Sequence, residues 1–114
     1  MTLANANLAV VEERKVAEYL LNSSHPDNGG KAQFFQALGY SAWDVARLAG
    51  ALREVAVHGD AVGRVDSRHG TKSIVDGQLQ SQVEANRSRT VRTVWIVELG
   101  DDVPRLVTAY PQAS

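Results

Sequence analysis

The period of the hydrophobic pattern changes once along this chain, near Gly59, and that change restricts the folds open to it. Before Gly59 apolar residues recur at helical spacing; after it they alternate. Between Glu12 and Leu21 the residues Val16, Tyr19 and Leu20 stand at i, i+3 and i+4 with charged residues between them, predicting a helix over about 12–22. A second helix over about 31–38 carries Phe34, Phe35 and Leu38 and ends at Gly39, where a C′ glycine is favoured. A third, over about 42–58, follows Ser41-Ala-Trp-Asp44, which has the form of a capping box with Asp in place of Glu. Its stripe is Val45, Leu48, Ala49, Leu52, Val55 and Ala56.

Beyond Gly59 the pattern predicts strands. TVRTVWIVEL over 90–99 and RLVTAY over 105–110 alternate and are rich in β formers, with Gly100-Asp101-Asp102 and Pro104 turning between them. KSIVDGQLQ over 72–80 and a shorter stretch over 62–67 precede them. Helices first and strands second imply an α+β domain spanning 1–114: amino-terminal helices packed on one face of a carboxy-terminal antiparallel sheet of about four strands.

Composition narrows the chemistry. The chain has 114 residues, 44% of them hydrophobic, enough for one modest core. It contains no cysteine, which excludes disulfides, a thiolate nucleophile and a cysteine zinc site. MTLANANLAVVEERK lacks the basic start of a signal peptide, and no apolar run reaches the roughly 20 residues of a membrane span, so a cytoplasmic protein without membrane association is expected. The formal charge of -1 provides no global pull on nucleic acid. Between Val62 and Thr93, however, Arg64, Arg68, Lys72, Arg87, Arg89 and Arg92 outnumber Asp66, Asp76 and Glu84, giving a locally basic region.

Candidate chemistry gathers in NSSHPDNGGKAQFF, residues 22–35. Proline and glycine there can serve only to turn the chain between two helices. Alternatively, His25 and Lys31 meet an anion at a helix start, where unpaired amides carry partial positive charge. A phosphate would then touch those amides and the Lys31 ammonium, with His25 close enough to transfer a proton. His58 suits the carboxy-terminal end of the third helix as a cation. His69, in SRHGTK with Arg68 and Lys72, is a surface turn residue, a second acid/base or a phosphate contact. The histidines lack HxH, HxxxH or HExxH spacing, so neither a metal nor a cofactor is expected. No GxGxxG, GxxxxGK[ST] or GxSxG motif occurs, and the carboxylates form no evident glycosidase pair. Trp95 should face the core. Thr108 and Tyr110, two apart on a strand, share one side of the sheet: either the core face, with partners there, or an open face beside Arg92 or Arg105.

Read together, Lys15-Val-Ala-Glu-Tyr-Leu-Leu-Asn, the HPDNGGKAQFF turn, Leu38-Gly-Tyr, Thr93-Val-Trp-Ile-Val and Pro104-Arg-Leu-Val-Thr-Ala-Tyr-Pro resemble a family of small bacterial domains of unknown function, over nearly the whole chain. Its members resemble toxin modules of polymorphic toxin and toxin–antitoxin systems, and more distantly the barnase, EndoU, colicin and RelE nuclease group. The resemblance implies helices before a four-stranded antiparallel sheet and a small antitoxin or immunity protein as partner. Carried over residue by residue it covers Lys15, Tyr19, Leu20, His25, Pro26, Gly30, Lys31, Ala32, Phe35, Gly39, Trp95, Arg105, Leu106, Thr108, Tyr110 and Pro111. Of these Tyr19, Leu20, Ala32, Phe35 and Trp95 are expected in the core. The extra Asp27-Asn28 departs from the family's compact turn.

Two functions follow as expectations. The first is a metal-independent ribonuclease toxin with RNA as its candidate partner, using the substrate's 2′-hydroxyl as nucleophile. His25 would be its general acid or base, Lys31 and one of Arg89, Arg92 or Arg105 its charge stabilisers, and Tyr110 or Thr108 a positioning hydroxyl. Arg68, His69, Arg89 and Arg92 would bind substrate. The second is a non-catalytic protein-binding domain, a phage-structural or regulatory accessory, which the near-neutral charge favours.

Overall fold

The structure, a computed structural model, describes residues 2–112; residues 1, 113 and 114, the ends of the expected domain span, lie outside the described residues. A 3₁₀ turn (Ala6–Leu8) leads into α1 (Glu13–Lys15), which continues as a π-helical turn (Val16–Leu20). Then come α2 (Lys31–Ala37), α3 (Val45–His58), β1 (Asp60–Ser67), β2 (Gly70–Gln80), β3 (Ser88–Glu98) and β4 (Arg105–Pro111). The fold is α+β: three helical segments pack against a four-stranded antiparallel sheet in the order β1-β2-β3-β4.

The first helix departs from regular α geometry. Leu21 N–H donates to the Val16 carbonyl at 2.9 Å, an i to i+5 bond, and the wider turn buries Val16, Leu20 and Leu21. Tyr19, expected inside, stays half-buried at the rim. At the end of α2, Gly39 takes φ 91 while its N–H bonds the Gln36 carbonyl and Tyr40 N–H bonds the Phe35 carbonyl, completing a Schellman stop. A Cβ at Gly39 would also lie 2.9 Å from both Gln82 Cβ and Val83 Cγ1. The third helix begins at Val45, later than the capping pattern predicts, because the Ser41 hydroxyl accepts the Trp43 N–H in a local turn and leaves the helix uncapped by its side chain. From there Leu48, Ala49, Leu52, Val55 and Ala56 are buried as one stripe.

The β2–β3 ladder runs without a break from Gly70↔Glu98 to Gln80↔Ser88, so alternate residues divide between two faces. Val75, Leu79, Val91, Thr93 and Trp95 face the helices, and all are buried. A bulge at Val107 lets β4 place Leu106 and Ala109 on that face while Thr108 and Tyr110 align with Val94 and Arg92 on the other. The free edge of β4 is covered by the amino-terminal segment: Val10 N–H bonds the Pro104 carbonyl and Leu106 N–H bonds the Val10 carbonyl.

Trp95 is the largest fully buried side chain and carries a polar atom that needs a partner. Its Nε1–H donates to Thr93 Oγ1 at 2.7 Å, and the Thr93 hydroxyl donates in turn to the Val75 carbonyl at 2.7 Å. Thr93→Val keeps the shape but strands the indole N–H; it is expected to lower the unfolding free energy by about 1–3 kcal/mol, read from urea midpoints at constant m.

Asn28 has an equivalent place between α1 and α2. Only 1% exposed, it donates through Nδ2 to the carbonyls of Tyr19 (2.6 Å) and Leu20 (3.4 Å), and its Oδ1 accepts the Ala32 N–H at 2.9 Å. It thus satisfies the end of the π turn and the start of α2 together. Asn28→Ala should cost about 2–3 kcal/mol, measured by thermal or urea unfolding, since it strands groups of both helices.

Candidate functional site

The Asn28 bonds engage two of the amides at the start of α2. Lys31 N–H is held by the Asn28 carbonyl, Ala32 N–H by the Asn28 side chain and Phe34 N–H by the Gly30 carbonyl. Three amides at the helix start are therefore held by the protein's own acceptors. The residues Asp27-Asn28, read as a departure from the family turn, supply two of these acceptors. The Lys31 ammonium, at first sight misplaced at a helix start, donates to the carbonyls of Asp27 (3.4 Å) and Asn28 (3.2 Å).

From that corner the side chains converge on Tyr19. The Lys31 ammonium lies 5.3 Å from the Tyr19 ring centroid, and the His25 imidazole meets the same ring edge-on at 5.0 Å. The Tyr19 hydroxyl reaches β4, 3.4 Å from Thr108 Oγ1. One turn earlier, Lys15 Nζ donates to the Val107 carbonyl at 3.2 Å. The bulge makes that last contact available, because the extra residue of a bulge has no cross-strand partner. Lys15, Tyr19, His25, Thr108, Glu12 and Glu18 line an open hollow of about 750 Å³ between α1 and β4.

Two features define its acid–base character. His25 Nδ1 accepts the Asp27 amide N–H at 3.1 Å, so the neutral ring carries its proton on Nε2 and offers it as a donor. Burial pushes the Tyr19 hydroxyl up, but the Thr108 hydrogen bond and the Lys31 ammonium more than offset this, and its pKa lies below the ordinary phenol value. Among the described residues no group of three or more His, Asp or Glu side chains could hold a metal ion.

The other expected site residues are dispersed. Arg105 stands at the rim, balanced by Glu12 (3.6 Å) and Glu98 (3.5 Å). Arg92 makes a two-pronged pair with Asp76, both bonds 2.8 Å, with Tyr110 beside it in the same cross-strand row. Thr108 and Tyr110 thus share the sheet face away from the helices, the second of the two arrangements open to them. Arg89 lies over the Phe34 ring at 5.6 Å. Arg68 and His69 form the exposed β1–β2 turn, two strands from β4. Lys15 and Tyr19 are the functional-looking groups that sequence reasoning did not place in a site. Their i, i+4 spacing beside an apolar stripe was the available signal; it reads equally well as core and solvated face.

A second hollow, of about 560 Å³, lies between the amino-terminal segment and β1–β2 and contains none of the expected site residues. No helix among the described residues is long and apolar enough to cross a membrane.

The Asp76–Arg92 pair gives a pH prediction. Hydrogen bonding to Arg92 holds the Asp76 carboxyl below the ordinary carboxylate range, so the pair stabilises the fold fully above that range and the contribution is lost as pH falls through the lowered folded value. Asp76→Asn should destabilise by about 1–3 kcal/mol near neutrality, with the difference from wild type vanishing in acid unfolding titrations at the lowest pH.

Comparison with known proteins adds to this geometry. Over 96% of this chain and 98% of the other, the fold matches a chain of the "Contact-dependent growth inhibition toxin - immunity protein complex from Klebsiella pneumoniae 342", with a TM-score of 0.69 and 16% sequence identity. At that identity the match speaks for the fold. No curated protein matches the chain. The model of a family described as "Domain of unknown function (DUF6883)" matches residues 2–113, and the chain belongs to that family.

Proposed function

We propose that this domain is a toxin-like, metal-independent ribonuclease restrained by a small immunity or antitoxin protein, and that the hollow between α1 and β4 is its active site. The observation that carries this reading is the convergence of His25, Lys31 and Thr108, from two other segments, on the Tyr19 phenol, with Lys15 one turn earlier on the Val107 carbonyl of the same strand as Thr108. Likeness of fold to a chain from a toxin–immunity complex supports it by analogy.

In the reaction the 2′-oxygen attacks the adjacent phosphorus, the bond to the 5′-oxygen breaks, and a 2′,3′-cyclic phosphate and a 5′-hydroxyl remain. Lys15 and Lys31 stabilise the charge that builds on the phosphorane, and neutral His25 donates its Nε2–H to a phosphoryl oxygen. The 2′-hydroxyl proton passes to a carboxylate of the hollow, Glu12 or Glu18. Tyr19, positioned by Thr108, protonates the departing 5′-oxygen. Arg105 binds substrate at the rim. The Arg92–Tyr110 row extends the surface along the same sheet face, whereas Arg68, His69 and Arg89 stand apart from it.

The second reading, a non-catalytic binding domain, is favoured by one observation: Trp43, in the turn before α3, is 98% exposed. Expression of the chain with and without any neighbouring gene product separates the two. The enzyme reading expects growth arrest and RNA breakdown. His25→Ala and Tyr19→Phe should each lower cleavage by about 10²–10⁴ while leaving the unfolding transition in place. Harmless expression with intact RNA, or full cleavage by the Tyr19→Phe variant, overturns it.

A further inference from the structure

The two edges of the sheet are treated differently. The edge of β4 is covered by the chain's own Val10 segment, while among the described residues β1 has β2 as its one neighbouring strand in the sheet. Alternate N–H and C=O groups of an edge strand point away from its neighbour, ready for another strand. After the irregularity between Ala61 and Gly63, β1 runs regularly through Gly63, Arg64, Val65, Asp66 and Ser67, each opposite a single β2 residue. Val65 is 58% exposed, and neither lysine nor proline occurs between Asp60 and Ser67 to blunt the edge.

We propose that β1 is a self-recognition edge, pairing antiparallel with β1 of a second copy of this chain about a twofold axis through Val65. The argument is charge complementarity. In that register Val65 faces its own copy, Arg64 faces the other copy's Asp66, and Asp66 faces the other copy's Arg64, so two cross-strand ion pairs form on one face. Within one chain Arg64 Nε lies 3.4 Å from Asp66 Oδ1, with both side chains about 70% exposed (70% and 71%); so exposed a pair contributes little and exchanges readily. Asp66 is already oriented, its Oδ1 accepting the Thr71 hydroxyl at 2.8 Å. Both of its bonds go to Oδ1, which leaves Oδ2 for an incoming guanidinium. A twofold axis between Gly63 and Arg64 loses this match, setting Asp66 against Ala61, and an axis through Val62, which would set Arg64 against Asp60, falls on the irregularity of the strand. Pairing joins the two sheets into one of eight strands and leaves the α1–β4 hollow, at the far edge, free.

The full chain provides the test, by sedimentation velocity and light scattering over a concentration series. Wild type should show a monomer–dimer equilibrium with Kd on the order of 10⁻⁴ M, as suits a contact of so few residues. Arg64→Asp alone and Asp66→Arg alone should each weaken it about tenfold or more, because each sets like charges opposite one another. Mixed one to one, the two variants should form a heterodimer at least as readily as wild type dimerises, since their charges then match on both sides. A wild type that stays monomeric to about 1 mM overturns the proposal. So do single variants that dimerise like wild type, or a mixture that fails to associate while both variants remain folded.

Discussion

Asn28 is the constraint on which the arrangement of the candidate site depends. Its side chain bonds two carbonyls at the end of a π turn and one amide at the start of the next helix; without it the Tyr19 carbonyl would keep the Asn22 N–H, and the Leu20 carbonyl and Ala32 amide would lose the bonds it makes to them. A single carboxamide satisfies all three, because it alone among short side chains offers donors and an acceptor on one plane. Its hold on the Tyr19 carbonyl fixes where that residue leaves the helix, and its hold on Ala32 fixes where Lys31 begins the next one. His25 and Lys31 meet the same phenol because both segments are anchored to one buried group.

Electrostatics in this corner follow from short-range neutralisation. The Lys31 ammonium sits over backbone carbonyls at a place where the helix dipole disfavours it, and the carbonyls compensate. Lys15 likewise rests on the Val107 carbonyl exposed by the bulge. Neither lysine makes a carboxylate pair among the described residues, unlike Arg92 and Arg105, whose guanidinium groups are engaged by Asp76, Glu12 and Glu98. In this corner the cations held by carbonyls and by no carboxylate among the described residues are therefore the two lysines. A near-neutral chain can hold such a site, since net charge describes the whole surface and the hollow responds to the groups within a few ångströms.

Periodicity carried the fold because it reports which residues a regular element turns inward. Leu48, Ala49, Leu52, Val55 and Ala56 recur at helical spacing, and alternation marked Val91, Thr93 and Trp95; all of these are buried. Local chemistry was legible where a single residue decides it, as at Gly39, whose left-handed conformation ends α2. It was not legible where two partners compete for one group. The Ser41 hydroxyl could cap a helix or close a turn, and it closes the turn. Tyr19 could lie inside or at the rim, and the π turn places it at the rim.

Sequence alone determined the order of helices and strands, the division of the sheet into two faces, and the absence of cysteine chemistry; each of these depends on residue type and spacing along one element. Only the tertiary structure decided which reactive side chains meet. Lys15 and Thr108 are 93 positions apart, and they share a hollow because a bulge at Val107 and a widened turn at Val16 bring β4 and α1 into reach. His69 and Arg68 carry the same functional groups as His25 and Lys31, yet sit two strands away on an exposed turn. Long-range proximity is set by packing and hydrogen-bond satisfaction across elements, which no local pattern records.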